Sequence, residues 1–550
     1  MRLPGLFALV LLVSCGPDAA PPEAGDEGTQ LEGELTGWAS LTGVWKKESG
    51  PYAWLNLQRA PGVVGHRYLA LKGAAAEAGT YQVADATLTL TTGAGAVKAF
   101  RFQVTKAGAL QLRRADGTLV AQLKRVPTRV SDCVNLVCPA VDVCAAQPTG
   151  AHCVASPPKK SASEAINADG VLVLGGKKVF PIGFTMPPPP DALAPNGKNG
   201  IAELRSAGAT FLRTGPWGAP WNEDAFAAEK RWQDVAFANG MHTWLYLKEA
   251  ASVPTPGGPA EQLLRRIVTT FGAHPGLGVD EGEDEPEWGQ RPVPPMVAAY
   301  DLVHALDPHH PLTIIQAPRG TVESLRRYTP AMDILGTDIY PVSAPMGKNS
   351  GLPNKELSVV GDYTDRMRQV AGNRIAVWMT LQIAWSGILP PNQRVMPTLH
   401  QERFMAYDAI IHGARGLFFF GGHMPVGWEG TDAQYGWSWT FWNRALKPVV
   451  KEIGEFSPLY PALVAPDSAQ QIRIFGDHHG FEYALREANG ATFVIAARTA
   501  AGSNSVTFRG VAPGVTRAEV LYEDGRTLGV EGGAFTDTFG QFDVHVYRLR

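Results

Sequence analysis

From about residue 170 onward the chain repeats one pattern, a short apolar run followed by an amphipathic stretch of helical period. Apolar runs fall at 179–184, 211–214, 242–247, 277–280, 312–316, 334–339, 375–382 and 417–421. Helical patterns follow at 201–207, 223–239, 260–271, 297–306, 322–328, 363–370, 399–412 and 441–455. Such alternation demands a parallel sheet, because each helix carries the chain back to the end where the previous strand began. Gly208, Gly240 and Gly413 stand where helix C-caps are expected. Eight strand–helix units in about 280 residues predict one (β/α)8 TIM barrel, placed at 169–458. An open doubly wound sheet is the alternative, but no Gly-x-Gly-x-x-Gly turn or P-loop supports it.

The flanking segments have a different period. Leu88-Thr89-Leu90-Thr91 and Phe100-Arg101-Phe102-Gln103-Val104 alternate apolar and polar residues, so 38–127 reads as a small all-β domain. Its Leu41-Thr42-Gly43-Val44-Trp45 and Gly79-Thr80-Tyr81-Gln82-Val83 segments resemble the small lipocalin-like barrels of bacterial envelope proteins. A ligand-free spacer is an equal reading. Cys133, Cys138, Cys144 and Cys153 then crowd into 132–154. An even count at this density predicts two disulfides of unassigned pairing in a short knot that resembles EGF-like modules. Zinc is the rival, without a Cys-x-x-Cys pair and with only His152 nearby. Residues 155–168, with Pro157-Pro158-Lys159-Lys160-Ser161, read as a linker, and 459–550 returns to short β runs expected to form a β-sandwich.

Residues 1–15 read as a signal peptide, with Arg2 ahead of an apolar stretch too short to span a bilayer. Leu12-Val13-Ser14-Cys15 resembles a bacterial lipobox, which implies cleavage before Cys15 and a lipid on its thiol. An ordinary secretory signal with an incidental cysteine is the alternative. Gly16 in place of Asp implies export to the outer membrane, so the expected location is the cell envelope. Residues 16–37 are rich in Pro, Gly, Ala and acidic groups, which suits a flexible tether. With 49 basic and 52 acidic residues the net charge is −3, and no electrostatic footprint for nucleic acid is present. The oligomeric state is left open.

The chemistry is expected in Gly278-Val279-Asp280-Glu281-Gly282-Glu283-Asp284-Glu285-Pro286-Glu287-Trp288. This run follows the fourth apolar strand, and in a (β/α)8 barrel the strand C-termini form the catalytic rim. A solvated acidic loop is the plain alternative. His274-Pro275-Gly276-Leu277-Gly278, leading to Asp284-Glu285-Pro286, resembles the clan of barrel glycoside hydrolases that includes families 5, 2 and 42. The resemblance implies hydrolysis of a poly- or oligosaccharide, with Glu285 as general acid and Asp284 where the clan has Asn. Crowded carboxylates favour a protonated acid.

The clan's nucleophile ends strand seven, where Gln382 stands, and an amide cannot take that role. Asp338 could be the base of an inverting reaction or the nucleophile. Glu429 or Asp432 could fold over the site, or the barrel could bind carbohydrate without cutting it. Arg213, Trp217, Asp284, Gln316, Tyr340, Gln382, Trp385, His423 and Trp437 are the substrate-binding candidates. No cofactor or metal is expected: there is no His-Glu-x-x-His and no Gly-x-Ser-x-Gly, and His309-His310 reads as a loop at the barrel bottom.

Overall fold

The computed structural model describes residues 43–49, 54–58, 66–72, 75–84, 86–92, 96–105, 109–125, 142–147, 150–155, 165–372, 375–384 and 396–550. The expected leader with Cys15, the tether, Cys133, Cys138 and Trp385 lie outside these residues.

Eight antiparallel strands, from Gly43–Ser49 to Leu119–Arg125, close into a barrel in sequence order. Closure is made by the first strand, which pairs with both the second and the eighth, as in Lys46 opposite Trp54 and Trp45 opposite Arg125. Period-two alternation sends Trp45, Leu55, Leu57, Leu88, Leu90, Leu110, Leu112 and Leu123 into one apolar interior. A closed barrel leaves no strand edge to solvent. A two-stranded hairpin, Asp142–Gln147 with Gly150–Ala155, follows, and its backbone register sets Cys144 opposite Cys153. This hairpin is the described part of the expected knot.

A second, parallel barrel also closes in sequence order. Its strands one to eight are Ile182–Phe184, Phe211–Thr214, His242–Tyr246, Leu277–Asp284, Leu312–Gln316, Ile334–Asp338, Ala376–Gln382 and Leu417–Phe420. Phe211, Trp244, Val279, Ile315, Ile334, Trp378 and Phe418 fill its interior. Trp244 lies 4.3 Å from Phe418 between ring centres. Such filling needs two glycines: a Cβ at Gly183 would lie 2.6 Å from the Phe418 ring, and one at Gly278 the same distance from Phe211. Leu172 and Ile166, which precede strand one, pack into the same cluster.

Helices cover the outside. The stretch expected as one helix at 441–455 is three pieces, because the backbone widens to a π-helical turn at Trp442–Leu446 before Lys447–Ile453. None of the helices among the described residues is long and apolar enough to cross a membrane.

After the barrel, a three-stranded and a five-stranded antiparallel sheet enclose Val494, Ala496, Val506, Phe508, Phe535, Phe539 and Tyr547. The other face of the larger sheet joins the barrel: Phe493, Ile495, Val544 and Val546 belong to the same core as Phe404 and Tyr407 of the helix Leu399–Ile411. Arg403 on that helix donates to the Val544 carbonyl at 2.6 Å and pairs with Glu452.

Candidate active site

Strand four decides the site. It runs past Asp280 to Asp284, and its pairing with strand five shifts register between Glu281 and Asp284. The bulge contains Gly282 and Glu283, and bulges of this kind re-aim the side chains that follow. Alternation then distributes the acidic run. Glu281 faces into the barrel and Asp280 is buried on the opposite side of the strand; Glu283 pairs with Arg291 at 3.0 Å. Asp284 and Glu285 are left at the rim. Glu285 has φ +46°, a left-handed conformation that costs a non-glycine residue about 1–3 kcal/mol.

Arg213, ending strand two, makes a two-pronged contact with Glu281: Nη2 to Oε1 is 2.7 Å, and Nε bonds Oε2. Its Nη2 is 3.6 Å from Asp284 Oδ2. Burial opposes the guanidinium charge, but Glu281 and Asp284 outweigh it and hold its pKa above the ordinary value. Tyr246, ending strand three, lies under the guanidinium at 4.4 Å, and Trp217 lies 5.5 Å from it. Arg213 is thus a buried counter-charge that Glu281 holds beneath Asp284.

Across the rim, Asp338 ends strand six, and its carboxyl stands near enough to Glu285 for each charge to act on the other; Asp338 Oδ1 is buried without a hydrogen-bond partner. Two ionised carboxylates repel, which favours a proton on one of them. Burial first, then the charges of Glu285 and Asp284, push the Asp338 carboxyl well above its ordinary range. Burial and Asp284 also raise Glu285, partly offset by the neighbouring Asp338 carboxyl. Of the crowding expected from sequence, Asp284 contributes, whereas Glu281 and Glu283 do not, because their side chains pair with Arg213 and Arg291. Tyr340 lies beside Asp338 and favours its charged form, and its ring stacks on Phe420 at 5.4 Å.

Other candidates take different places. Gln382 is fully buried, and its amide bridges the Val342 backbone: Oε1 accepts from Val342 N at 2.8 Å and Nε2 donates to Val342 O at 2.9 Å. It fastens the loop that carries Tyr340 and is not the free polar contact expected of it. Trp437 is not a rim platform either. It is fully buried against Phe184 and Trp439, and its indole N–H donates to the Met186 carbonyl. Gln316 is buried, accepting from Glu287 N at 3.2 Å.

Glu429 pairs with Arg444 at 2.9 Å. Asp432 is buried and accepts from Glu429 N and Thr440 N, so neither carboxylate folds over the rim. His423 sits beside Trp217, with ring centres 6.1 Å apart, and burial lowers its pKa. Trp217 is 50% exposed, the one open aromatic face among the candidates described. Among residues sequence reasoning passed over, Tyr246 and the pairing of Glu281 with Arg213 belong to the site; strand alternation carried one residue past Asp280, from the inward-facing Val279, could have pointed to Glu281.

No family model matches this chain, and no curated protein matches it. Solved structures do. One described as a glycoside hydrolase is 12% identical over 70% of this chain and 97% of its own, with a TM-score of 0.48. A GH30 endoxylanase from Clostridium papyrosolvens is 13% identical over 68% and 97%, with a TM-score of 0.41. A glycoside hydrolase family 5 structure from Bacteroides vulgatus is 12% identical over 70% and 95%, with a TM-score of 0.44. The neighbours are glycoside hydrolases of several families, and the likeness extends to the fold and no further.

Proposed function

We propose that this protein is a glycoside hydrolase acting on a poly- or oligosaccharide, with Glu285 as general acid and Asp338 as its partner. The observation that carries the reading is the placement of these two carboxyls together at the C-terminal rim of the barrel, at the ends of strands four and six, each pushed up by burial and by neighbouring negative charge. Glycosidic cleavage needs one protonated carboxyl to release the leaving group and one carboxylate on the other side of the anomeric carbon. Two neighbouring carboxyls, each pushed up by burial and by the other's charge, favour one protonated and one ionised form.

Retaining enzymes hold their carboxyls about 5–5.5 Å apart and inverting ones about 6.5–9.5 Å, and the closeness of this pair favours the former. Asp338 is therefore proposed as the nucleophile, in place of a strand-seven group. Tyr340 steadies it, and Arg213 offsets the negative charge beneath Asp284. Trp217 offers a stacking face for a sugar ring. We also infer a lipid anchor on Cys15 in the outer membrane, disulfides among Cys133, Cys138, Cys144 and Cys153, and a lipocalin-like character for the first barrel.

Reducing-sugar release by the full chain on a broad glycan panel tests the activity, beside Glu285→Gln and Asp338→Asn. Loss of turnover in both, with retention at the anomeric centre in the native enzyme, is the expected result. Inversion would make Asp338 a base. Saturable binding to one glycan without turnover would replace the hydrolase with a carbohydrate-binding protein, the reading that Gln382 at the usual nucleophile position favours.

A further inference from the structure

A second group of buried titratable side chains lies where the parallel barrel meets the C-terminal sheets. Asp408 and His412 are one turn apart at the end of the helix Leu399–Ile411, and Glu482 comes from the sheet strand Phe481–Ala488. One ligand atom from each lies within 4.8 Å of the others. His412 Nε2 is 3.0 Å from Glu482 Oε2 and 3.7 Å from Asp408 Oδ1. All three residues are buried. The other imidazole nitrogen, Nδ1, is 3.0 Å from Asp365 Oδ2 on the helix Val359–Ala371. Asp408 Oδ2 accepts from Gly361 N at 2.6 Å, whereas Oδ1, on the imidazole side, has no hydrogen-bond partner.

Asp362 adds its charge to the group. Four carboxylates therefore surround one imidazole, and among the described residues no lysine or arginine pairs with any of them. Asp408 Oδ1 is a buried carboxylate oxygen without a donor, and leaving it so costs free energy.

We propose that Asp408 Oδ1, His412 Nε2 and Glu482 Oε2 bind a divalent metal ion of the zinc class that ties the C-terminal sheets to the barrel. Nitrogen and oxygen ligands about 2.1 Å from a tetrahedral ion stand about 3.4 Å apart. The observed 3.0 and 3.7 Å bracket that spacing. Asp365 on Nδ1 is the carboxylate–imidazole–metal arrangement that turns Nε2 toward an ion, and Gly361 N fixes the second oxygen of Asp408. Gly361 also supplies the room. A Cβ there would lie 2.7 Å from His412 Nε2 and 2.9 Å from Asp408 Oδ1. The site is outside the rim and does not depend on the hydrolase reading. Its sequence signature is weak, an Asp-x-x-x-His spacing whose third ligand is 70 residues further on.

The test is zinc titration of the purified, chelator-stripped full chain, with metal content by mass spectrometry and the visible spectrum of the cobalt-substituted protein. One equivalent per chain is expected, with imidazole–carboxylate cobalt bands and a higher Tm when metal is restored. Glu482→Gln and Asp408→Asn should lose the equivalent, and Asp365→Asn should weaken binding about 10–100-fold. Absence of a bound equivalent in the native chain, or an equivalent that survives His412→Gln, overturns the site and leaves a protonated imidazole as the link. Should a variant fail to fold, the cobalt spectrum of the native chain decides alone.

Discussion

Two closed eight-stranded barrels stand in one chain and are filled differently. The antiparallel barrel packs Trp45, Leu90, Leu110 and Leu112 inside, and no charged residue is buried among its described residues. The parallel barrel is apolar only along part of its axis. Above the Trp244, Trp378 and Phe418 layer stand Arg213 and Glu281, then Asp284, Glu285 and Asp338. Burying charge costs several kcal/mol per ion unless it is paired. The described residues of the first barrel bury none of it. Closure alone therefore does not account for the charge inside the second, which is where the proposed chemistry sits.

The largest expected effect tests that contrast directly. Glu285→Gln and Asp338→Asn should each lower kcat/KM by about 10³-fold or more. Neither should lower Tm, because each replaces a carboxyl disfavoured by burial and neighbouring negative charge with a neutral amide of the same shape. Steady-state kinetics beside thermal unfolding separates the outcomes; a large fall in Tm would make the pair structural.

Arg213→Met comes next. It leaves Glu281 buried without its counter-charge, and a broken buried pair costs about 3–5 kcal/mol. Adding Glu281→Leu should recover most of that stability, since the double variant has no charge left to desolvate. Activity should stay low in both. Urea unfolding of the single and double variants makes the measurement, and a double variant no more stable than the single would show that Arg213 acts through packing alone.

The first barrel supplies the opposite case. Leu110 is fully buried in its apolar interior. Leu110→Ala should cost about 2.7–5 kcal/mol in the unfolding of that barrel and leave turnover unchanged. A change in kcat would mean that the two barrels are functionally linked.

Much of the frame was legible because strand and helix periods differ so plainly. The strands Phe211–Thr214 and Leu312–Gln316 coincide with the apolar runs that predict them. Strand four ran on because a bulge is a pairing event between strands, and one strand's residues cannot announce it. The Glu281–Arg213 contact was hidden by its span of 68 residues between two strands. Trp437 was misplaced because an aromatic-rich segment reads the same whether its rings line a rim or a core. Thr527–Gly529 and Ala534–Phe539 were passed over because short polar strands carry little apolar signal.

The smallest expected effect distinguishes the barrels by pH. Glu229, on the helix Glu223–Ala238, is fully buried beneath the end of strand two and accepts from Thr214 Oγ1 at 3.0 Å and Gly215 N at 2.9 Å. Burial pushes its carboxyl up to about 8 against those bonds, and Asp280 beyond it, also raised by burial, stands at about 7. An unfolded glutamate titrates at about 4.3. Between these values the folded chain holds protons that the unfolded chain has released, so stability must fall as pH rises. The contribution is full below about pH 4 and is lost as pH passes through about 8. Glu229→Gln should flatten this decline by about 2 kcal/mol between pH 6 and 9, measured by urea unfolding at each pH. The transition of the first barrel, with no buried carboxylate among its described residues, should stay level over the same range. An equal slope in both barrels would mean that surface charge, not the buried layer beneath the rim, sets the pH response.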